Sequence, residues 1–136
     1  AALLVSTGTA IAQDQPRAYK PGTVWVVSTS QVTPGREEDY MRVLNGGWKA
    51  QRLAAQKAGR EKSYKLLWAE DRREGQHNLV IMIEYANHAA FDRPPEEMDQ
   101  INAAVAAQGI KSVPLAEREA MRKVGGNRTY SEVILK

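Results

Sequence analysis

The chain has 136 residues, of which 43% are hydrophobic and 26% are charged, and this is enough for one domain with its own core. The net charge is only +3, and Lys and Arg are interleaved with Asp and Glu, so nucleic acid is not an expected partner. The absence of cysteine excludes disulfides, thiolate metal sites, a cysteine nucleophile and a lipoprotein anchor.

The first twelve residues, AALLVSTGTAIA, are uncharged and mostly small or apolar. They end in Ala10-Ile11-Ala12, the small-x-small pattern of a signal-peptidase site. The pattern predicts a secretory signal remnant over residues 1–12, a mature chain that begins near Gln13, and a periplasmic or secreted bacterial protein. The alternative is a disordered or strand-forming N-terminus. The stretch is too short for a transmembrane helix, and no membrane span is expected.

Residues 13–22, QDQPRAYKPG, contain two prolines and predict an extended N-terminal arm. A single domain is expected over residues 23–136. It begins with TVWVVSTSQV, Thr23 to Val32, whose β-branched and aromatic residues predict a strand. Pro34-Gly35 then breaks the strand, because proline cannot donate to a sheet ladder and glycine permits a sharp turn.

A long helix is predicted after this turn. Glu37, Glu38 and Asp39 put negative charge in its first turn, where the helix dipole favours it. Apolar residues then recur at helical spacing up to Lys57 or Ala58, and Gly59 is the expected stop. Gly46 and Gly47 lie inside this helix, where each costs about 1 kcal/mol relative to alanine. Two explanations are open: close packing of the helix on the sheet, or a cavity at this point.

The second half of the chain predicts two strands, three helical segments and a last strand. The strands, over residues 61–70 and 78–85, flank a charged hairpin loop that contains Gly75. A short helical turn precedes Pro94-Pro95. The next helix has Met98, Ile101 and Val105 on one face, and a third helix after Pro114 is expected to end at Gly125-Gly126. The last strand is predicted over residues 128–135.

This order of elements predicts an α+β fold, the ferredoxin-like βαββαβ plan with a four-stranded antiparallel sheet and its helices on one face. The strand over residues 78–85, NLVIMIEY, is apolar on both faces, so each face needs a cover. The chain has no spare element for the second face, and a homodimer is therefore predicted. Two sheets would form a shared barrel lined by six apolar residues: Trp25, Val27, Val80, Met82, Tyr130 and Ile134.

Two stretches, VSTSQVTPGREEDYMRVL…WKAQRLAAQKAG and SYKLLWAEDRREGQHNLVIMIEYANHAAFD, resemble the dimeric α+β barrel superfamily. The likeness is to antibiotic-biosynthesis-monooxygenase-like and NIPSNAP-like domains, some of them exported proteins of unknown activity. It covers about residues 23–91 and the last strand, and its markers are a Val-x-Pro-Gly turn and a Glu-Tyr-x-x-x-x-x-Phe strand exit. The resemblance implies a homodimer and often a cavity between sheet and helices. It implies no single chemistry.

The residues that could border such a cavity combine small hydroxyls, glycine and aromatic rings, which together are typical of an apolar small-molecule site. They are Ser28, Ser30, Tyr40, Gly47, Trp48, Tyr85 and His88. His77 is expected in the exposed hairpin loop. His88 is the only histidine near the cavity mouth, and a lone histidine is a poor metal site. No metal site and no cofactor are predicted.

Glu84 and Glu132 fall on the barrel side by strand parity. They either pair with Lys or Arg at the rim or form a proton-transfer pair. Three functions stay open: an exported dimer that binds a small apolar or aromatic molecule, a cofactor-independent monooxygenase acting on a polycyclic or quinol-like substrate, and a structural interaction protein. The sequence does not decide whether the protein is an enzyme, and its catalytic residues are unknown.

Overall fold

The secondary structure is taken from a computed structural model that describes residues 15–136. The predicted signal remnant, residues 1–12, lies outside the described residues. The elements in chain order are β1 (Tyr19–Val32), α1 (Glu37–Val43), a π-helical turn (Leu44–Trp48), α2 (Lys49–Lys57), β2 (Ser63–Trp68), β3 (Leu79–Tyr85), a 3-10 turn (His88–Asp92), α3 (Pro95–Ala107), α4 (Leu115–Met121) and β4 (Arg122–Leu135).

The four strands form one antiparallel sheet in the order β2-β3-β1-β4. The α+β class and the four-stranded antiparallel sheet are confirmed, and the strand order is consistent with the ferredoxin-like plan. The main core lies between this sheet and the helices. It is a cluster of buried residues from both layers: Val32, Tyr40, Leu44, Leu79, Ile81 and Met121.

The strand register assigns side chains to the other face of the sheet, because residues directly opposite each other on neighbouring strands share a face. Trp25 is paired with Glu84 and with Tyr130, and Val27 is paired with Met82. Val80 lies on the same face, because it is paired with Thr29, which is two residues from Val27 on β1. We call this side the open face, since the core cluster and the described helices lie on the opposite side of the sheet.

The predicted long helix consists of α1, the π-helical turn and α2, and it begins and ends at the predicted signals. The Pro34-Gly35 turn separates β1 from α1, and Gly35 has a positive φ of 84°, a conformation that glycine adopts without steric cost. Gly59, with φ of 72°, follows the end of α2 as a helix-terminating glycine. The helix is therefore bounded as its sequence predicts.

The prediction that Gly125-Gly126 ends a helix is wrong. The last helix ends at Met121, and both glycines lie inside β4. A Cβ atom on Gly125 would lie 2.7 Å from Oγ1 of Thr29, and the amide of Gly126 donates to the same oxygen at 3.0 Å. The β1–β4 register shifts here, between Ser28 and Ser30. The glycines allow close backbone approach at this irregularity, a common use of glycine in strands.

The first strand begins within the predicted arm. β1 starts at Tyr19, which is paired with Leu135, and a register shift follows Pro21; irregular positions of this kind tolerate proline. Among residues 15–136, no helix has the length and apolar character needed to cross a membrane.

Candidate functional site

A cavity of about 620 Å³ lies between the helix-facing side of the sheet and the helices. Its size is within the usual range of small-molecule sites. Its lining comes from both layers and includes residues of β1, the long helix, α3, the 110–113 connection, α4 and the start of β4. Five of the seven predicted site residues line it, namely Ser28, Ser30, Tyr40, Gly47 and Trp48.

Small residues border the cavity on both layers. Along β1, Ser28 and Ser30 alternate with residues of the open face and therefore face the helices. Ser30 is buried. On the helix, a Cβ atom on Gly47 would meet only Cγ2 of Ile110, at 3.7 Å, which is an ordinary contact distance. A Cβ on Gly46 would meet nothing within 4 Å. Close helix-on-sheet packing therefore does not explain the two glycines.

The helix changes its hydrogen-bonding pattern beside the cavity. Residues 44–48, LNGGW, form a π-helical turn between α1 and α2, and Gly46 within it has ψ of −113°, outside the helical range. A π-helical turn inserts extra backbone into an α-helix and recurs at functional sites. Here it contains three residues of the cavity lining, Leu44, Gly47 and Trp48.

Both aromatic side chains of the lining are held by neighbours. The Tyr40 hydroxyl accepts a hydrogen bond from Nε of Arg122 at 3.0 Å, and Tyr40 is only 4% exposed. Trp48 makes an edge-to-face contact with Tyr64, with 5.2 Å between ring centroids. The Arg52 guanidinium lies 5.5 Å from the Trp48 ring. These contacts, each favourable for aromatic rings, position the cavity wall before any ligand arrives.

The polar groups of the lining are amides, hydroxyls and cations. Nε2 of Gln51 donates to Oδ1 of Asn102 at 2.8 Å and so joins α2 to α3. The cations are Lys111, Arg118 and Arg122. No Asp, Glu or His of residues 15–136 lines the cavity. The site therefore has the groups needed to bind a molecule, but it lacks the carboxylates and imidazoles that most often perform general acid–base catalysis.

Tyr85 and His88 lie outside the cavity lining. Both rings contact Phe91, with centroid separations of 4.8 Å for Tyr85 and 6.2 Å for His88. Burial, with the charge of Glu61 as a second cause, raises the pKa of the Tyr85 hydroxyl. His88 is exposed. The structure therefore separates these two aromatic residues from the other five.

A second group of polar residues, which the sequence did not single out, lies beside Trp48. Arg52 on α2 and Glu61 before β2 form an ion pair, and their side chains are only 10% and 3% exposed. Burial raises the pKa of the Glu61 carboxyl, and the nearby Arg52 and Arg60 charges oppose this rise. Oε2 of Glu61 and Nε of Arg52 are enclosed without a hydrogen-bond partner among the described residues.

The two glutamates of the open face bind hydroxyl groups. Glu84 accepts from Thr23 Oγ1 and from Ser63 Oγ, both at 2.7 Å, and these bonds hold the pKa of its carboxyl below the usual value. Oε2 of Glu132 lies 3.0 Å from the same Thr23 hydroxyl. Neither carboxylate forms an ion pair with a described Lys or Arg. The positive charges of Lys62 and Lys65 also lower the pKa of the Glu84 carboxyl, so this carboxylate has cationic neighbours without a direct ion pair, and rim pairing stays a prediction.

Sequence reasoning missed the cationic part of the cavity. Arg118 and Arg122 lie on either side of Met121, and the burial of Met121 orients this segment. The spacing of these three residues could be read from the sequence. Lys111 lies in an irregular connection, where periodicity gives no signal.

Comparisons with known proteins do not assign a family. No family model matches the chain, and no curated protein is significantly similar to it.

Proposed function

We propose that the protein binds a small molecule with an apolar or aromatic body in the cavity between the sheet and the helices. The observation that carries this proposal is the cavity itself, about 620 Å³ in volume and bordered by Ser28, Ser30 and Gly47, where larger side chains would fill a core. Tyr40 and Trp48 supply flat apolar surface that is already held in position. A preformed wall lowers the entropic cost of binding.

Binding is favoured over catalysis by the chemistry of the lining. The described lining residues include hydroxyls, two amides and three cations, and none is a carboxylate or a histidine. A monooxygenase-like reaction therefore has no specific support in this cavity, and we propose a binding protein.

Gly47→Leu tests the proposal. The glycine has room for a Cβ atom, since its nearest neighbour would be Ile110 Cγ2 at 3.7 Å, so a leucine should fold and project into the cavity. The probe is N-phenyl-1-naphthylamine, whose fluorescence rises in apolar surroundings. The parent should bind the probe, and Gly47→Leu should lose this binding while its thermal unfolding temperature stays close to that of the parent.

Two matched variants control for added apolar volume. Gly47→Ala adds only a methyl group and should retain the probe. Ala103→Leu adds the same side chain at an exposed position of α3, away from the cavity, and should also bind as the parent does. Failure of the parent to bind, or full binding by Gly47→Leu, would contradict the proposal. A stability loss of about 1 to 3 kcal/mol in Gly47→Leu would instead indicate overpacking of a filled core.

The resemblance to dimeric α+β barrels and the observed strand order together support a homodimer in which two open faces pack on each other. The open face carries an apolar centre of Trp25, Val27, Val80 and Met82. It also carries both signs of charge, from Lys65 and Arg128 and from Glu84 and Glu132. In a two-fold dimer the open face of one chain packs on the open face of its partner. Opposite charges can therefore meet across the interface.

The small-x-small pattern at Ala10-Ile11-Ala12 supports export to the periplasm or the medium. Mass spectrometry of protein from a periplasmic extract should find a chain that begins at Gln13. Recovery of an uncleaved leader from the cytoplasm would contradict export.

A further inference from the structure

The cavity lining carries three positively charged side chains that form no ion pair with a described carboxylate. Lys111, Arg118 and Arg122 line the cavity. None of the three forms an ion pair within residues 15–136. Arginine keeps its charge under all ordinary conditions, so the cavity contains a permanent positive potential. Low-dielectric walls strengthen such a potential and concentrate anions.

The two arginines differ in how their donors are used. Arg122 directs its Nε to the Tyr40 hydroxyl at 3.0 Å, and its guanidinium lies 5.8 Å from the Tyr40 ring. These contacts hold the group in place and leave its terminal nitrogens for another partner. Nε of Arg118 is enclosed and has no acceptor among the described residues. Arg118 thus lines the cavity without an acceptor that fixes its guanidinium as Tyr40 fixes that of Arg122, and the group is available to a ligand.

We infer that the ligand of this cavity carries an anionic head group on its apolar or aromatic body, and that Arg118 and Arg122 bind this head group. A carboxylate is the simplest such group, because the planar guanidinium presents paired donors that match its two oxygens. The body of the ligand lies against Trp48 and Tyr40. This inference rests on the proposed ligand-binding function and adds the charge of the ligand to it.

A pair of fluorescent probes tests the charge directly. N-phenyl-1-naphthylamine and 1-anilinonaphthalene-8-sulfonate share the same ring system, and only the second carries an anionic sulfonate. Charge-assisted hydrogen bonds favour the sulfonate probe, which should bind the parent about tenfold more tightly than the neutral probe. Added salt should weaken only the sulfonate probe.

Arg118→Gln keeps a long polar side chain and removes the charge. It should weaken the sulfonate probe about tenfold and leave the affinity for the neutral probe unchanged. Arg118→Lys should recover part of the loss, because it restores the charge without the planar fork. The matched control is Arg73→Gln, which removes an exposed arginine of the hairpin loop that is paired with Asp71. This control should leave both affinities unchanged.

The outcomes separate the two proposals. Equal affinities of the parent for both probes, or an equal effect of Arg118→Gln on both, would overturn the anionic head group and leave ligand binding intact. Binding of neither probe to the parent would overturn the ligand-binding function, and the head group with it.

Discussion

Arg52 and Glu61 form the most deeply buried ion pair of the described residues, with side chains only 10% and 3% exposed. Each ion loses most of its hydration on folding, and the attraction between the two must offset that loss. The raised pKa of the Glu61 carboxyl, which burial causes, shows that desolvation is the larger effect at this residue. The pair also supports the cavity wall, because Arg52 lies against the Trp48 ring.

We therefore predict that Arg52→Met lowers the free energy of unfolding by about 3 to 5 kcal/mol at neutral pH, because it leaves a buried carboxylate unpaired. The double variant Arg52→Met/Glu61→Leu should recover most of this loss, since an apolar pair replaces the ions. Arg42→Met is the control: Arg42 is 70% exposed where it contacts Glu38 and Asp39, and its removal should cost less than about 1 kcal/mol. Urea unfolding measures all three.

The stability deficit of Arg52→Met should depend on pH. A carboxyl whose folded pKa is raised contributes stability that is fully present below its unfolded pKa and is lost as pH rises through the folded pKa. For Glu61 the window therefore lies above its ordinary value of 4.5. Removal of Arg52 raises the pKa further, so the stability deficit of Arg52→Met should shrink as pH falls from neutral toward this value. A deficit independent of pH would contradict the role of Glu61.

At the level of elements, the irregular part of β4 gives the sharpest prediction. A Cβ atom on Gly125 would lie 2.7 Å from Oγ1 and 3.3 Å from the carbonyl oxygen of Thr29, whereas one on Gly126 would lie 3.9 Å from Oγ1. Gly125→Ala should therefore lower the free energy of unfolding by about 1 to 3 kcal/mol through overpacking, and Gly126→Ala should be tolerated. Thermal unfolding of the two variants makes the comparison. Equal losses would mean that the close approach to Thr29 is not the reason for the glycine.

The long helix illustrates what its sequence could and could not predict. Its ends follow from local chemistry: the Pro34-Gly35 turn, the acids of the first turn and the stop at Gly59. The π-helical turn inside it depends on a shift of backbone hydrogen bonds that hydrophobic periodicity does not report. Only the Gly46-Gly47 pair marked the position, and from the sequence both close packing, the slightly favoured explanation, and a cavity were open.

The candidate site also has one part that local sequence rules predict and one part that they do not. The predicted residues of β1 and the long helix line one cavity, and this arrangement follows from strand parity and helical spacing, which are local rules. Tyr85 and His88 depend on how the end of β3 and the next turn sit against Phe91, which no local rule provides. Arg118 and Lys111 reach the cavity from α4 and from an irregular connection, so their contribution depends on tertiary packing.

At the scale of the whole molecule, the open face leads to a prediction of oligomeric state. Met82 lies between Val27 and Lys65 in the sheet register, near the centre of this face. Light scattering on the parent should give twice the chain mass. Met82→Asp should give a monomer, because pairing of the faces would bury an added charge on each copy, and the cross-strand Lys65 offsets this desolvation only in part. Leu115→Asp, a change at an exposed position of α4, should remain dimeric. A parent that stays monomeric at micromolar concentration would contradict the barrel.

The most direct test of ligand binding between the sheet and the helices is a nuclear magnetic resonance titration of the indole N–H signals with N-phenyl-1-naphthylamine. The chain has three tryptophans: Trp48 lines the cavity, Trp25 lies on the open face, and Trp68 lies in β2 opposite Leu79. Single Trp→Phe variants assign the signals. Binding in the cavity should shift the Trp48 signal progressively and leave the Trp25 signal in place. A shift of Trp25 alone would put the ligand on the open face and contradict the cavity site.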